Sequence, residues 1–226
     1  MRLASFVALA AVLVGPLSVH AADPVQKCVN AKIKAAGKRA ACLAKVAANK
    51  ALGKIGDTTK CEAAFDKTRD KVDASTLKKN ASCRLVDNGD GTVSDLDTLL
   101  MWEKKTGANF DATVTWATAA NEAVSAATGT SANGEQFIGG LAGHQDWRLP
   151  SITELETIAD THPAACGSGG ACIAAVFGST HLGNYWSITS DQSDAAKAWV
   201  IDFATGTGAV TAKSGTAATR VVRGGK

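Results

Sequence analysis

The chain has 226 residues, 46% of them hydrophobic, and a formal charge of +3 from 24 Lys and Arg against 21 Asp and Glu. That charge is unevenly placed: residues 22–83 carry 14 basic and 6 acidic side chains (+8), residues 84–226 carry 9 and 15 (−6), which points to two domains with different surfaces. Six cysteines with no C-x-x-C pair, and only His144, His162 and His181 beyond the first 21 residues, exclude a zinc ribbon or a dithiol redox motif and leave little for metal or acid–base chemistry.

The N-terminus reads as a secretory signal peptide over residues 1–21. Arg2 precedes the apolar run "LASFVALAAVLV", Gly15 and Pro16 interrupt it, and "VHA" supplies the small residues a signal peptidase requires. The run is shorter than the roughly 20 apolar residues of a membrane span. No cysteine follows the expected cleavage site, so a lipid anchor is not expected, and no later segment is long and apolar enough to span a bilayer. The expected location is periplasmic or extracellular, at the cell surface. In such a compartment Cys28, Cys42, Cys61, Cys83, Cys166 and Cys172 read as disulfide partners.

Residues 22–83 read as a basic helical hairpin. The stretch 27–53 is rich in Ala and Lys and lacks proline, with Val29, Ile33, Ala36, Ala40, Leu43 and Ala47 as its apolar stripe. Gly53, Gly56 and Asp57 break it, and a second helix follows over about Thr58 to Lys79, carrying Ala64, Phe65 and Val72. Across an antiparallel turn, Cys42 with Cys61 and Cys28 with Cys83 fit a nested pairing, although spacing alone leaves the connectivity of these four open. The lysines suit an anionic partner, such as an acidic glycan or lipopolysaccharide; a solvated helix face and docking on the acidic neighbour are the alternatives.

The stretch "VDNGDGTVSDLDTLLMWEKK", residues 86–105, raises the question of calcium. With Gly91 at the sixth place of an EF-hand loop, Asp90 and Asn88 fall at liganding places, but Val86 takes the first and Asp97 the twelfth. The better reading is two strands around an Asn-Gly/Asp-Gly turn, then a second turn at Asp95–Asp97 and a strand "LLMW". Further on, "TWATAANEAVSAATG" reads as a helix capped by Thr115 and ended near Gly129. Ser151 and Glu154 form a capping box opening a helix to about Asp160, and "YWSITS", "AWVIDFA", "GAVTAK" and "TRVVR" read as short strands. The fold class is α+β.

In order, "VDNGDGTVSDLDTLLMWEKK", "TWATAANEA", "LAGHQDWRLPSITELETI", "FGSTHLGNYWSITS", "AWVIDFATG" and "ATRVVRG" resemble the Lcl-type C-terminal domain over about residues 84–226. The resemblance implies a C-type-lectin-like domain with two helices and short antiparallel strands, related to the formylglycine-generating-enzyme branch. It implies a structural signature of Trp102, Trp147, Arg148, Pro150, Tyr185, Trp186 and Arg223, in which Asp146 or Glu154 holds Arg148, and Asp202 is a similar candidate partner for Arg220 or Arg223. It also implies adhesion or ligand binding without catalysis, cofactor or metal.

Tyr185, Trp186 and Trp199 offer a sugar-stacking platform or, alternatively, core. The polar loop 190–197 is the better candidate for ligand contact, with Asn184, Asp191, Gln192 and Asp194 as its expected contacts. Cys166 and Cys172 read as a short-loop disulfide; a thiol oxidase would need them free. His144 near Asp146 makes neither a triad nor a metal site. The partners expected are a glycan or other polyanion on the hairpin, or an envelope protein, and no specific nucleic acid.

Overall fold

The structure is a computed structural model that describes residues 24–77, 83–105, 111–121, 140–163 and 166–224. The expected signal peptide, the residues beyond 77 in the second helix, and the expected helix end near Gly129 lie outside the described residues.

Two long helices, α1 (Pro24–Ala51) and α2 (Thr59–Leu77), form an antiparallel pair. Pro24 opens α1, where its missing N–H costs nothing because no acceptor is available in the first turn. The buried seam of α1 follows the expected stripe only in part. Val29 is buried and Ala36 and Leu43 are half-buried, but Ile33, Ala40 and Ala47 are exposed, while Cys28, Lys32 and Ala35 are buried and Arg39 and Cys42 half-buried. The seam is rotated by roughly one residue, about 100° at 3.6 residues per turn, from the stripe read by hydrophobicity. Disulfides and ion pairs decide this rotation. Cys42 bonds Cys61 within the pair, Arg39 forks onto Glu62 with both contacts at 2.7 Å, and Lys32 reaches Asp73 at 2.6 Å. Cys61, Phe65 and Thr76 are the buried residues that α2 supplies.

Beyond the hairpin, antiparallel strands and short helices build the α+β domain. β1 (Leu85–Asp87), β2 (Thr92–Asp95) and β3 (Leu100–Glu103) form a meander, and β9 (Val222–Gly224) adds to β3. Gly89 and Gly91 adopt φ of 77° and 87° in the β1–β2 turn, a region that suits glycine. β4 (Val114–Thr115) leads into a helix described over 116–121 (α3) and pairs with β8 (Thr216–Ala217). The Thr115 hydroxyl accepts the Thr118 N–H, as a cap should. A third sheet is β5 (Asn184–Ser190), β6 (Lys197–Asp202) and β7 (Thr207–Ala212).

α4 (Ile152–Ile158) opens on a complete capping box: Ser151 accepts the Glu154 N–H and Glu154 accepts the Ser151 N–H. It ends at Ile158, two residues before the expected limit. α4 buries Leu155 and Ile158 against Trp102, Tyr185, Ile201 and Phe203 in the main core. β6 is buried on both faces, with Ile201 in that core and Val200 in a second cluster around Trp186 and Leu149.

Among the described residues, Trp102 Nε1 and Arg220 Nε are buried without a hydrogen-bond partner, but the charged groups buried here have partners. Glu103 binds Lys105 at 2.6 Å and also accepts the Val221 N–H. Arg220 donates to the carbonyls of Glu103 and Phe177. Gly178 closes this region, since a Cβ there would lie 2.3 Å from the Lys105 carbonyl oxygen.

The hairpin joins the domain at one end. Cys28 bonds Cys83, and Val25, Val29 and Val72 pack with Leu96 and Val86. Lys32, 1% exposed, binds Asp97 as well as Asp73. Next to this joint Arg84 forks onto Asp95 and donates to the Thr157 carbonyl at 2.6 Å, tying the sheet to α4.

Lys32→Met should cost about 2–3 kcal/mol, because two carboxylates then face each other across a joint without their cation. Urea unfolding measures the loss, and faster amide exchange in the first turns of α1 would locate it. A pH dependence follows from Asp95. Burial pushes its carboxyl up, but the Arg84 guanidinium and the Asp97 N–H override this and hold it below the ordinary range. A depressed carboxyl stabilises the fold fully above its unfolded value of about 3.9 and loses that contribution as pH falls through its folded value. The urea midpoint should therefore hold near neutrality and drop below about pH 4. Asp95→Asn should be less stable at neutral pH and show a shallower acid drop.

Candidate functional site: the lysine face of the hairpin and its junction

The residues expected to contact a ligand fall into two places. Asn184 begins β5, and the loop carrying Asp191, Gln192 and Asp194 follows its far end, about 20 Å away along a seven-residue strand. Within the loop the Asp191 carboxylate accepts the Ser193 N–H and hydroxyl, and Asp194 accepts the Ala196 N–H and faces Lys197 at 3.3 Å. These carboxylates shape the β5–β6 turn. Gln192 is exposed.

The signature residues are distributed through the core and its rim. Trp102, Tyr185 and Trp186 are fully buried, so the tyrosine and tryptophan of "YWS" present no stacking face. The Trp186 ring N–H donates to the Val114 carbonyl, and the Trp147 ring N–H to the Leu141 carbonyl. Tyr185 accepts the His181 N–H, and burial pushes its hydroxyl up. Of the two candidate partners for Arg148, the structure pairs it with Glu154, at 2.7 and 2.5 Å, while Asp146 is held by Arg223. Pro150 is buried just before the Ser151 cap. Asp202 does not pair with either arginine as expected; it accepts the Ala204 N–H and the Thr205 hydroxyl, closing the β6–β7 turn.

The acidic stretch 87–97 has its carboxylates engaged by protein donors. Asp87 takes Lys104 and the Gly89 N–H, Asp90 takes the Thr92 N–H and hydroxyl, Asp95 takes Arg84, and Asp97 takes Lys32. Among the described residues, the group close enough to hold a metal is Cys28, Asp73 and Cys83, whose sulfurs are joined in a disulfide. Cys166 and Cys172 are likewise bonded.

Two of the concavities involve the hairpin. A cleft of about 450 Å³ opens between α2 and α4, lined by Arg69, Asp97, Thr98, Arg148 and Thr157. Its guanidinium groups are already matched: Arg69 with Asp66 and Asp70, Arg148 with Glu154. The charges of the cleft are therefore compensated. Those of the hairpin are not. Asp57 caps α2 through Thr59, Glu62 holds Arg39, Asp66 and Asp70 hold Arg69, and Asp73 holds Lys32. Each carboxylate of the described hairpin is thus engaged. Lys27, Lys34, Lys38, Lys45, Lys50, Lys54, Lys60, Lys67 and Lys71 are all exposed, and none joins an ion pair among the described residues.

Helical geometry organises these cations, an arrangement that a count of lysines misses. Lys27, Lys34, Lys38 and Lys45 recur at intervals that return to one azimuth of α1, as do Lys60, Lys67 and Lys71 on α2. Each row lies roughly 100° from the seam. In an antiparallel pair, equal offsets from the seam fall on the same broad face. A groove of about 240 Å³ lies between the helices, lined by Ala35, Lys38, Arg39 and Cys42 from α1 and by Cys61, Ala64 and Thr68 from α2. Both cysteines of the Cys42–Cys61 bond line the groove, and Lys38 is the lysine in its lining; helical geometry puts the other members of the two rows on the same broad face. Of the valines that dock the hairpin, Val25 and Val29 lie on the side of α1 away from its lysine row, and Val72 shares the azimuth of Phe65 in the α2 seam.

Removing the carboxylate that Arg148 and the α4 cap share tests whether this rim is structural. Glu154→Ala should lower stability by about 1–2 kcal/mol, through a lost cap and a lost fork, with the secondary structure content by circular dichroism unchanged.

No curated protein matches the sequence. The family match is to the Lcl C-terminal domain, over residues 91–223, more than half of the chain and the part that contains β2 to β9. On that match the chain belongs to the Lcl C-terminal domain family.

Proposed function

We propose that this protein is an exported, non-catalytic binding module that attaches to polyanionic glycan of the cell envelope through the lysine face of its hairpin. The observation that carries the reading is the pairing pattern: among the described residues the hairpin's carboxylates are engaged by its arginines, by Lys32 and by a helix cap, and nine exposed lysines join no ion pair. Two rows of ammonium groups on one broad face suit a linear chain of anionic groups, attracted by charge and released by salt. The domain that follows is net acidic, so it adds no attraction for a polyanion.

Three disulfides indicate folding in an oxidising compartment, and no described helix is long and apolar enough to cross a membrane. The bonded Cys166 and Cys172 favour binding over thiol oxidation. A role as a structural component of an envelope assembly is the second reading, favoured by the charge-compensated cleft between α2 and α4, which does not select for anions.

Affinity for heparin as a model polyanion, measured across a salt series, tests the proposal. The protein should bind at low salt and weaken steeply as salt rises. Replacing Lys34, Lys38, Lys67 and Lys71 with Gln should reduce the log–log salt slope by roughly 3, on the counter-ion-release rule for polyanions. Undiminished binding by that variant would sink the lysine-face reading. No binding at any salt would shift the assignment to the assembly reading.

A further inference from the structure

The hairpin tip carries a second feature, separate from the lysine rows. Ile55 is 101% exposed and Leu52 is 73% exposed, three residues apart in the turn between α1 and α2. Single exposed aliphatics are common on soluble proteins. Two of them at the crest of a projecting hairpin, wedged among cations, are a different arrangement. Lys50 and Lys54 alternate with them in sequence, and Lys45 and Lys60 flank the turn; all four are exposed.

The tip is built rather than loose. α1 ends with the Gly53 N–H donating to the Lys50 carbonyl and the Lys54 N–H to the Asn49 carbonyl, with Gly53 at φ 73°. This is the paired closure of a glycine C-cap. α2 opens with the Asp57 carboxylate accepting the Thr59 N–H and hydroxyl. Both helix ends are satisfied without Leu52 or Ile55, so the fold makes no use of either side chain. The acid at the tip is also turned inward onto the cap, leaving the outer surface cationic and aliphatic.

Distance completes the picture. The hairpin is fixed to the rest of the protein at its other end, by Cys28–Cys83, Lys32 and the valine cluster. The 23 residues from Cys28 to Ala51 span about 35 Å of helix. The tip therefore stands clear of the domain.

We infer that the hairpin tip inserts Leu52 and Ile55 into an anionic lipid bilayer surface, with Lys45, Lys50, Lys54 and Lys60 placed at the phosphate level. Apolar side chains enter an interface by about 5–10 Å, and flanking lysines keep their ammonium groups at the headgroups while their stems lie along the apolar layer. The cations select anionic lipid, and the aliphatic pair makes the attachment persist when salt screens charge. Two side chains form too small a patch for a stable protein interface but suffice to add to an electrostatic attachment. The inference goes beyond the glycan-binding reading: it shares Lys45 and Lys60 with the lysine rows but rests on Leu52 and Ile55, which that reading does not use.

Vesicle flotation of the disulfide-bonded protein decides the matter. The protein should float with phosphatidylcholine–phosphatidylglycerol vesicles and not with phosphatidylcholine alone, and part of it should stay bound through a high-salt wash. Replacing Leu52 and Ile55 together with Ser should weaken partitioning on the order of 30-fold, from the lost burial of two aliphatic side chains, and make the remaining binding fully salt-reversible. Heparin affinity should not change in this variant, which separates the tip from the lysine groove. Because both side chains are exposed, an unchanged thermal midpoint will show that the variant is folded. Equal vesicle retention by the wild type and the double variant after the salt wash would overturn the inference, as would failure of the wild type to float with anionic vesicles.

Discussion

The architecture turns on one buried ammonium. Lys32 is 1% exposed and contacts Asp73 of α2 and Asp97 of the β2–β3 turn. A lysine leaves water only when its charge is matched, and here the match comes from two separate parts of the chain. The same side chain therefore joins α1 to α2 and the hairpin to the sheet. Asp73 and Asp97 keep about a third of their surface or less in solvent, which lowers their own desolvation cost. The result is a joint with a defined geometry rather than a general attraction between a basic and an acidic part.

Around that ammonium the hairpin has little else to hold it. Its seam is made of cysteines, alanines and paired charges, with Phe65 as its largest buried apolar side chain. So small a core cannot by itself offset the entropy of ordering two helices. The Cys42–Cys61 and Cys28–Cys83 bonds fasten the middle of the pair and its base. Constraining the unfolded chain at two nested points is the standard remedy for a core of this size. Between those fixed points the helix surfaces are free to carry lysines, because nothing on that face is needed for packing.

Local chemistry was legible in the sequence, and long-range pairing was not. The Asn-Gly and Asp-Gly turn, the Ser151–Glu154 capping box, the Thr115 cap and the strands around Trp186 and Val200 each follow from neighbours within a few residues. The seam of α1 was misread for a physical reason. Hydrophobic periodicity ranks Ile33 above Lys32, yet two carboxylates bury the lysine and leave the isoleucine 54% exposed. In the same way Arg223 found Asp146, 77 residues distant, rather than Asp202. Arg220 found backbone carbonyls that no pattern of side chains announces. Of the candidate contacts, Asp191 and Asp194 proved to be turn-forming, since their partners lie two or three residues away. The lysine rows were in the sequence throughout, but became a surface only once the seam gave each helix its rotation.

That rotation bears on why the charge is divided between the two parts of the chain. A net of +8 beside a net of −6 suggests that the hairpin's charge exists to dock it on its neighbour. The contacts argue otherwise. Among the described residues the ion pair that crosses the joint is Lys32 with Asp97, and the rest of the joint is a disulfide and a cluster of aliphatic residues. The acidic domain meanwhile satisfies its own carboxylates: Asp87 with Lys104, Asp95 with Arg84, Asp146 with Arg223, Glu154 with Arg148. Docking thus neutralises almost none of the hairpin's positive charge. Exposed cations that neither pack, pair nor dock repel one another and slightly oppose the compact state. Their arrangement in two rows on the face turned away from the joint directs that charge outward, toward something that is not part of this chain.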